Sequence, residues 1–274
     1  MHERERWQVI NAMLRDSGLV RVADICRATG ASEATVRRDF AQLAGSGVAT
    51  RVHGGLAPAS TPNVGSSERP PLATSSFDFS RGLNFAAKRA IAQAAVALCE
   101  DGEAIIINGG TTTFEMAGFL RERRLKVLTN SYPLAETLIR DSKCRVALPG
   151  GEVYREQKLI VSPFEEDAIQ HYSASRMFMS AIAIGPLGVI EGDPLIARAE
   201  AKLLKRADKL VVLADSSKFV SRGSLVVCPL SRIAILITDR AAPVAALDML
   251  RESGVQIVVV DAEPAIAPRE QEVA

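Results

Sequence analysis

Two spacings of apolar residues divide the chain. In the first 57 residues they recur in short helical bursts. Trp7, Ile10, Met13 and Leu14 form one stripe, Val22, Ile25 and Cys26 a second at i, i+3, i+4, and Val36, Phe40 and Leu43 a third at i, i+4, i+7. This pattern predicts three short helices closing on one small core. Between the second and third lies Thr29-Gly30-Ala31, where Gly30 allows the positive φ of a tight helix exit. Ser32 then supplies an N-cap hydroxyl for the next helix. Downstream, Val48-Ala-Thr-Arg-Val-His-Gly-Gly-Leu56 reads as two short strands turning at Gly54-Gly55.

From Ala86 the pattern changes to short apolar runs alternating with helical stripes. Strands are expected at Ala104–Asn108, Lys126–Thr129, Arg145–Pro149, Met177–Ile184, Lys209–Ala214, Ile233–Thr238 and Gln256–Asp261. Helices are expected at Ala86–Cys99, near Thr112–Arg123, and at Pro133–Arg140, Leu195–Arg206 and Pro243–Ser253. Runs such as Ala-Ile-Ile-Ile and Leu-Val-Val-Leu suit strands covered on both faces. The predicted class is α/β, a doubly wound, mostly parallel sheet behind a small helical domain. Pro/Ser/Gly/Thr-rich residues without periodicity mark a linker at 58–85, in which Phe77, Phe79 and Phe85 are candidates to pack on a domain. The resulting division is 1–57, linker 58–85, 86–262, and a tail at 263–274.

Two helices meeting at a capped turn and followed by a strand pair form a winged helix-turn-helix, which presents its second helix to the major groove of double-stranded DNA. Ser32 and Thr35 stand where that helix enters the groove. Arg37 and Arg38 reach base edges or phosphates, with Arg51 and His53 on the wing. Charge adds little: residues 1–57 hold eight Lys+Arg against six Asp+Glu, a mild excess. The order of the elements carries the reading.

In the α/β part, ligands are expected beyond the carboxyl ends of the strands. Those ends are small and polar: Asn108-Gly-Gly-Thr-Thr-Thr113, Thr129-Asn130-Ser131, Gly150-Gly151, Asp215-Ser-Ser-Lys218 and Thr238-Asp239. Gly109, Gly110, Thr111, Thr112 and Thr113 follow a strand and open a helix, so amides and helix dipole converge on one point. No Gly-Lys-Ser/Thr follows, which favours a compact phosphate monoester over a nucleotide. Lys218 is placed to reach a phosphate oxygen or a sugar hydroxyl. Asn108, Asn130, Ser131, Gly150, Gly151 and Asp215 fall at the sugar end. Glu200 is either a sugar-hydroxyl acceptor or a helix-face charge paired with Lys202 or Lys205.

Composition narrows the class. With 33 Lys+Arg against 32 Asp+Glu the chain is nearly neutral. Cys26, Cys99, Cys144 and Cys228 show neither metal-ligand spacing nor a disulfide framework, so no metal and no cofactor are expected. No apolar run approaches the ~18 residues of a membrane span, and the charged N-terminus lacks a signal-peptide core, so a cytoplasmic protein is expected.

The stretch Arg4–Leu56, with Thr35-Val-Arg-Arg-Asp39 and its Gly-Gly wing, resembles the DNA-binding domain of DeoR-type bacterial repressors. That resemblance implies a C-terminal sugar-phosphate sensor sharing the fold of ribose-5-phosphate isomerase. In the enzyme a loop like Gly110–Thr113 holds the phosphate, and a Glu and a Lys match Glu200 and Lys218 at the same separation. The enzyme's paired acids face Ser180-Ala-Ile-Ala183, which has no carboxylate, and its second active-site lysine falls at Glu191. Isomerisation needs those acids and that lysine, so binding without catalysis is implied. Many DeoR-type sensors carry Asp where Asn108 stands. Asn-x-Gly-x-Thr and Met-Phe-x-Ser resemble the subgroup responding to phosphorylated L-ascorbate.

The resulting expectation is a repressor of a carbohydrate operon, a homodimer or homotetramer, released from its operator by a phosphorylated sugar, polyol or sugar acid. An isomerase with an appended DNA-binding domain is a second reading, which measurable turnover would select. A constitutive DNA-binding protein whose α/β part only oligomerises is a third, which indifference to any anion would select.

Overall fold

The computed structural model describes residues 6–7, 9–11, 13–14, 20–45, 49–52, 55–58, 77–162, 164 and 167–261. The chain divides into two compact units, residues 1–71 and 72–274.

In the first unit, helical residues between 6 and 14 place Ile10 and Leu14 in a core with Val20, Ile25, Val36, Phe40, Leu43 and Leu56. Helix α1 (Val22–Thr29) ends at Gly30, whose φ of 69° turns its N–H back onto the Cys26 carbonyl. Helix α2 (Glu33–Gly45) opens at Ser32, whose Oγ accepts from the Thr35 amide at 3.3 Å. Strands β1 (Val20–Arg21), β2 (Ala49–Val52) and β3 (Gly55–Pro58) form an antiparallel sheet in the order β1-β3-β2. Val52 pairs with Gly55, so Gly55 is not part of a turn as expected; Gly54 lies outside the described residues. Gly55 is a strand residue, paired also with Arg21.

The second unit opens with helices α3 (Phe77–Gly82) and α4 (Phe85–Ala97), strand β4 (Ala104–Ile107), the one-turn helix α5 (Thr111–Phe114), strand β5 (Lys126–Thr129), helix α6 (Tyr132–Asp141) and strand β6 (Arg145–Ala147). A hairpin, β7 (Glu152–Tyr154) and β8 (Leu159–Val161), leads to β9 (Ala174–Ser180), β10 (Ala183–Gly185) and β11 (Gly188–Glu191). Helix α7 (Pro194–Leu204), β12 (Ala207–Leu213), β13 (Leu225–Cys228), β14 (Ile233–Asp239), α8 (Val244–Glu252) and β15 (Gln256–Val260) complete it.

Seven of these strands form one sheet in the order β15-β14-β12-β9-β4-β5-β6, every neighbouring pair parallel. Alternate residues of the apolar runs go to opposite faces, as the pleat requires. Ile105, Ile107, Val127, Phe178, Val211 and Leu213 pack with Ile91 and Ala95 of α4 and Leu134 and Leu138 of α6. Ile106, Leu128, Met177, Met179, Leu210 and Val212 pack with Leu203 and Leu204 of α7 and Leu247 and Leu250 of α8. Each such buried side chain contributes about 1.5–3 kcal/mol, and both faces are closed.

The strand order also locates the site. From β4 the chain moves outward through β5 and β6, then returns to the other flank of β4 with β9. The reversal leaves a crevice at the carboxyl ends of β4 and β9.

The structure departs from the expected elements at four places. The run 177–184 is not one strand: β9 stops at Ser180, and β10 belongs to a separate antiparallel sheet, β10-β11-β13. Ser180 is the run's single polar residue, and one polar residue does not mark a break by periodicity; in the structure its amide donates to the Asn108 side chain at 2.9 Å. The helix expected near Thr112–Arg123 is one α-turn followed by a 3₁₀ segment, Glu115–Phe119, which turns Met116, Ala117 and Leu120 inward. The hairpin β7–β8 has strands too short to show a period. Residues 77–82, assigned to the linker by composition, are helical, with Phe77 buried against Phe114.

Candidate functional site

In the first unit α2, the helix expected to read DNA, has one buried and one exposed face. Its inner face carries Val36, Phe40 and Leu43, which leaves Ser32, Arg37 and Arg38 exposed and Thr35 half-buried. The Ser32 and Thr35 hydroxyls lie 2.9 Å apart, and Arg37 reaches back one turn to Glu33 at 3.2 Å. Arg51 lies in β2 opposite Leu56; His53 is outside the described residues. The last residue of the Thr-Val-Arg-Arg-Asp run has another task. Asp39 is buried and accepts from Arg6 Nε at 2.8 Å, Arg6 Nη2 at 3.1 Å and Trp7 Nε1 at 3.3 Å, tying α2 to the first helical segment.

In the second unit the crevice between β4 and β9 is laced by side chains. Asn108 donates through Nδ2 to Glu200 Oε1 at 2.7 Å and to the Ser180 carbonyl at 3.3 Å, while its Oδ1 accepts from the Ser180 amide. The Gly109 amide donates to Asn130 Oδ1 at 2.8 Å. Thr113 is fully buried; its amide donates to Ser180 Oγ, and its hydroxyl donates to the carbonyls of Asn108 and Gly110. The amides of Gly110, Thr111 and Thr112 open the first turn of α5, where a helix offers no internal acceptor.

Several expected contacts are therefore corrected. Thr113 and Asn108 are spent within the protein. A Cβ at position 110 would stand 2.5 Å from Ser180 Cβ and Oγ, and one at 109 would stand 1.7 Å from Leu159 Cδ2. Close packing of the loop is therefore one requirement for glycine at both positions. Gly151, at φ 147°, faces the Val161 carbonyl in the hairpin, and Gly150 is open to solvent. Ser131 caps α6 by accepting from the Leu134 amide. Glu200 pairs with neither Lys202 nor Lys205; it points inward to Asn108, while Lys202 binds Asp167 at 2.9 Å.

What remains is a set of buried polar atoms without a hydrogen-bond partner among the described residues: Glu200 Oε2, Asn130 Nδ2, Asp215 Oδ2 and Thr238 Oγ1. Asp215 Oδ1 is occupied by Asn84 Nδ2 at 2.9 Å and by the Ser217 amide. Burial raises the Glu200 carboxyl well above the usual carboxylate range, and the nearby Glu191 adds to the shift. Glu191 is raised by burial too, although the amides of Gly192 and Asp193 hold its Oε2 at 2.6 and 3.1 Å. Among the described residues no group of three His, Cys, Asp or Glu is arranged to hold a metal ion.

The sequence of this site and of the recognition helix matches two known domains. Residues 6–61 match the DeoR-like helix-turn-helix domain, and residues 83–240 match the DeoR C-terminal sensor domain. The chain belongs to the DeoR family. The HTH-type transcriptional regulator UlaR of Salmonella newport (strain SL254) is 33% identical over 261 residues, covering 95% of this chain and 100% of the relative. A protein of Escherichia coli O157:H7 named for repression of the aga operon is 32% identical over 261 residues, 93% of each chain. Among solved structures, ribose 5-phosphate isomerase A from Methanocaldococcus jannaschii aligns with 48% of this chain and 53% of its own, at 17% identity and a TM-score of 0.35. The two relatives are named as transcriptional regulators, not enzymes, and this DeoR-family chain is a DNA-binding regulator. No described helix is long and apolar enough to cross a membrane.

Sequence reading passed over Lys88, a second lysine near Asp215. Lys88 of α4 is buried, donates from Nζ to the Ser80 carbonyl at 2.5 Å, and has its pKa lowered to about 8 by burial, against the opposing pull of Asp215. Lys218, half-buried and with no side-chain hydrogen bond or ion pair among the described residues, lies close enough to lower it further. A signal existed. Lys88 shares one helical face with Ile91, Ala92 and Ala95, all buried, so its position belonged to the apolar stripe.

Proposed function

We propose that this regulator represses a carbohydrate operon and is released from its operator by a phosphorylated sugar, polyol or sugar acid bound at the strand ends of the second unit. The observation that carries the reading is the set of unpartnered buried polar atoms along the carboxyl ends of β5, β12 and β14 and on α7, with Glu200 bonded to Asn108 at the switch point. Buried polar groups are ordinarily paired, so a cluster of orphans at a strand-end crevice is what a polar ligand would complete. In this reading the amides of Gly110, Thr111 and Thr112, with Lys218 and Lys88, take the phosphate. Asn130, Glu200 and Asp215 take hydroxyl or acid groups of the sugar, and Asn108 positions Glu200. The relatives' names, one of them an operon repressor, support the sign of regulation.

On the DNA side Ser32, Thr35, Arg37 and Arg38 enter the groove, with Arg51 and His53 on the wing. A homodimer or homotetramer lets two such helices bind neighbouring half-sites.

A thermal-shift screen of the full chain tests the proposal, pairing phosphorylated sugars, polyols and sugar acids with their unphosphorylated counterparts. A ligand at 100 times its Kd stabilises by about 2.7 kcal/mol, so the phosphorylated member of at least one pair is expected to raise Tm by several degrees. The same compound is expected to weaken binding to the DNA upstream of the chain's own gene. A screen in which phosphorylated and unphosphorylated members behave alike refutes the effector class.

A further inference from the structure

Residues 77–84 form the first described segment after the wing, and the residues that hold them border the strand-end site. The Phe77 ring meets Phe114 edge-on at 5.6 Å, and the Arg81 guanidinium lies 4.4 Å over the same ring. Arg81 Nε also stands 3.7 Å from Glu115 Oε1, a buried oxygen that accepts no hydrogen bond. The Ser80 carbonyl accepts from Lys88 Nζ. Asn84, in the left-handed region at φ 52°, donates to Asp215. The Phe77 amide donates to the Glu156 carbonyl in the β7–β8 loop at 3.1 Å.

Each anchor is one step from the site. Phe114 closes the single helical turn that opens at Gly110, and its amide bonds the Gly110 carbonyl at 3.0 Å. A ligand engaging the amides of 110–112 therefore acts on Phe114 through one rigid turn. A ligand anion held by the Lys88 ammonium shares that group with the Ser80 carbonyl, and one engaging Asp215 Oδ2 shares the carboxylate with Asn84, so each alters the hold on residues 80 and 84.

Resting on the effector site proposed above, we infer that α3 with Asn84 is the coupling element of this regulator: site occupancy loosens its docking on Phe114, Lys88 and Asp215, and the change passes along the chain to the DNA-binding unit. Such a device works only to the extent that ligand binds the undocked state more tightly than the docked one.

Hydrogen exchange of the full chain, with and without inorganic phosphate or D-ribose 5-phosphate, tests this. Amides at 110–113 are expected to exchange more slowly with the probe and those at 77–84 faster. Protection at 110–113 with 77–84 unchanged or slower overturns the coupling and leaves the site reading standing. No change in either segment with either probe removes the site reading, and the coupling with it. The variants Phe77→Leu and Arg81→Gln are expected to keep the probe's protection at 110–113 while 77–84 exchanges fast from the start and no longer responds. A wild-type response in both variants shows that these contacts do not carry the signal.

Discussion

Asp39 lies in the middle of the recognition helix, flanked by the arginines assigned to DNA, yet its geometry assigns it to stability. Its carboxylate, 2% exposed, holds three donors from Arg6 and Trp7. Asp39→Ala removes all three bonds. Breaking a buried ion pair from one side costs about 3–5 kcal/mol. The Arg6 side chain is 11% exposed, which points to the lower end, about 3 kcal/mol. At roughly 0.05–0.15 kcal/mol per residue, a unit of 71 residues holds about 4–10 kcal/mol in all, so the loss is a large share. The expected fall in Tm is about 12–24 °C, at 4–8 °C per kcal/mol for a domain of this size. Trp7 is the chain's single tryptophan and lies in this unit, so its fluorescence during a thermal scan of the full chain reports the unit by itself. Operator binding is expected to fail with the fold, although Asp39 contacts no DNA in this reading. A midpoint within about 4 °C of wild type, less than 1 kcal/mol, would refute the argument.

The contrast is Arg38→Ala, expected to leave the Trp7 midpoint unchanged while weakening operator binding by about 1–3 kcal/mol in a gel shift; unchanged affinity would mean α2 is not the reading helix. Gly110→Ala is expected to destabilise the second unit by about 1–3 kcal/mol through overpacking on Ser180, with Gly110→Ala/Ser180→Gly recovering much of the loss in a denaturant melt; equal losses in single and double variants would show that Ser180 is not the obstacle. Glu200 titrates higher in the folded chain than in the unfolded one, so the folded state binds more protons above about pH 4.5 and this group's contribution to stability falls as pH rises. Glu200→Gln is expected to flatten that part of the stability–pH profile, and an unchanged slope would sink the assignment.

Sequence reading succeeded where the information is local. The strand Ala104–Ile107 and the first five residues of Ile233–Asp239 announce themselves by unbroken apolar runs, because both faces of a parallel sheet are covered. Gly30 and Ser32 specify the turn between α1 and α2 through their own backbone and hydroxyl. The site was legible as a place for the same reason: strand ends are local features, and their order follows from topology. The roles within it were not local. Whether Gly110 makes room for a ligand or for Ser180 depends on a residue 70 positions away. Whether Glu200 pairs along its helix or across the crevice depends on Asn108, 92 positions away. Lys88 looks like an ordinary surface cation until Asp215 and Ser80 are brought beside it.

Many of the polar atoms picked out at the strand ends already have partners within the protein. Subtracting those internal bonds from the polar rim leaves one free side-chain atom each on Asn130, Glu200, Asp215 and Thr238. A sequence supplies the full rim. Only the pairing of distant residues shows which part of it is left over, and in the proposed reading that remainder, together with the first-turn amides of α5 and the two lysines, is what an effector would meet.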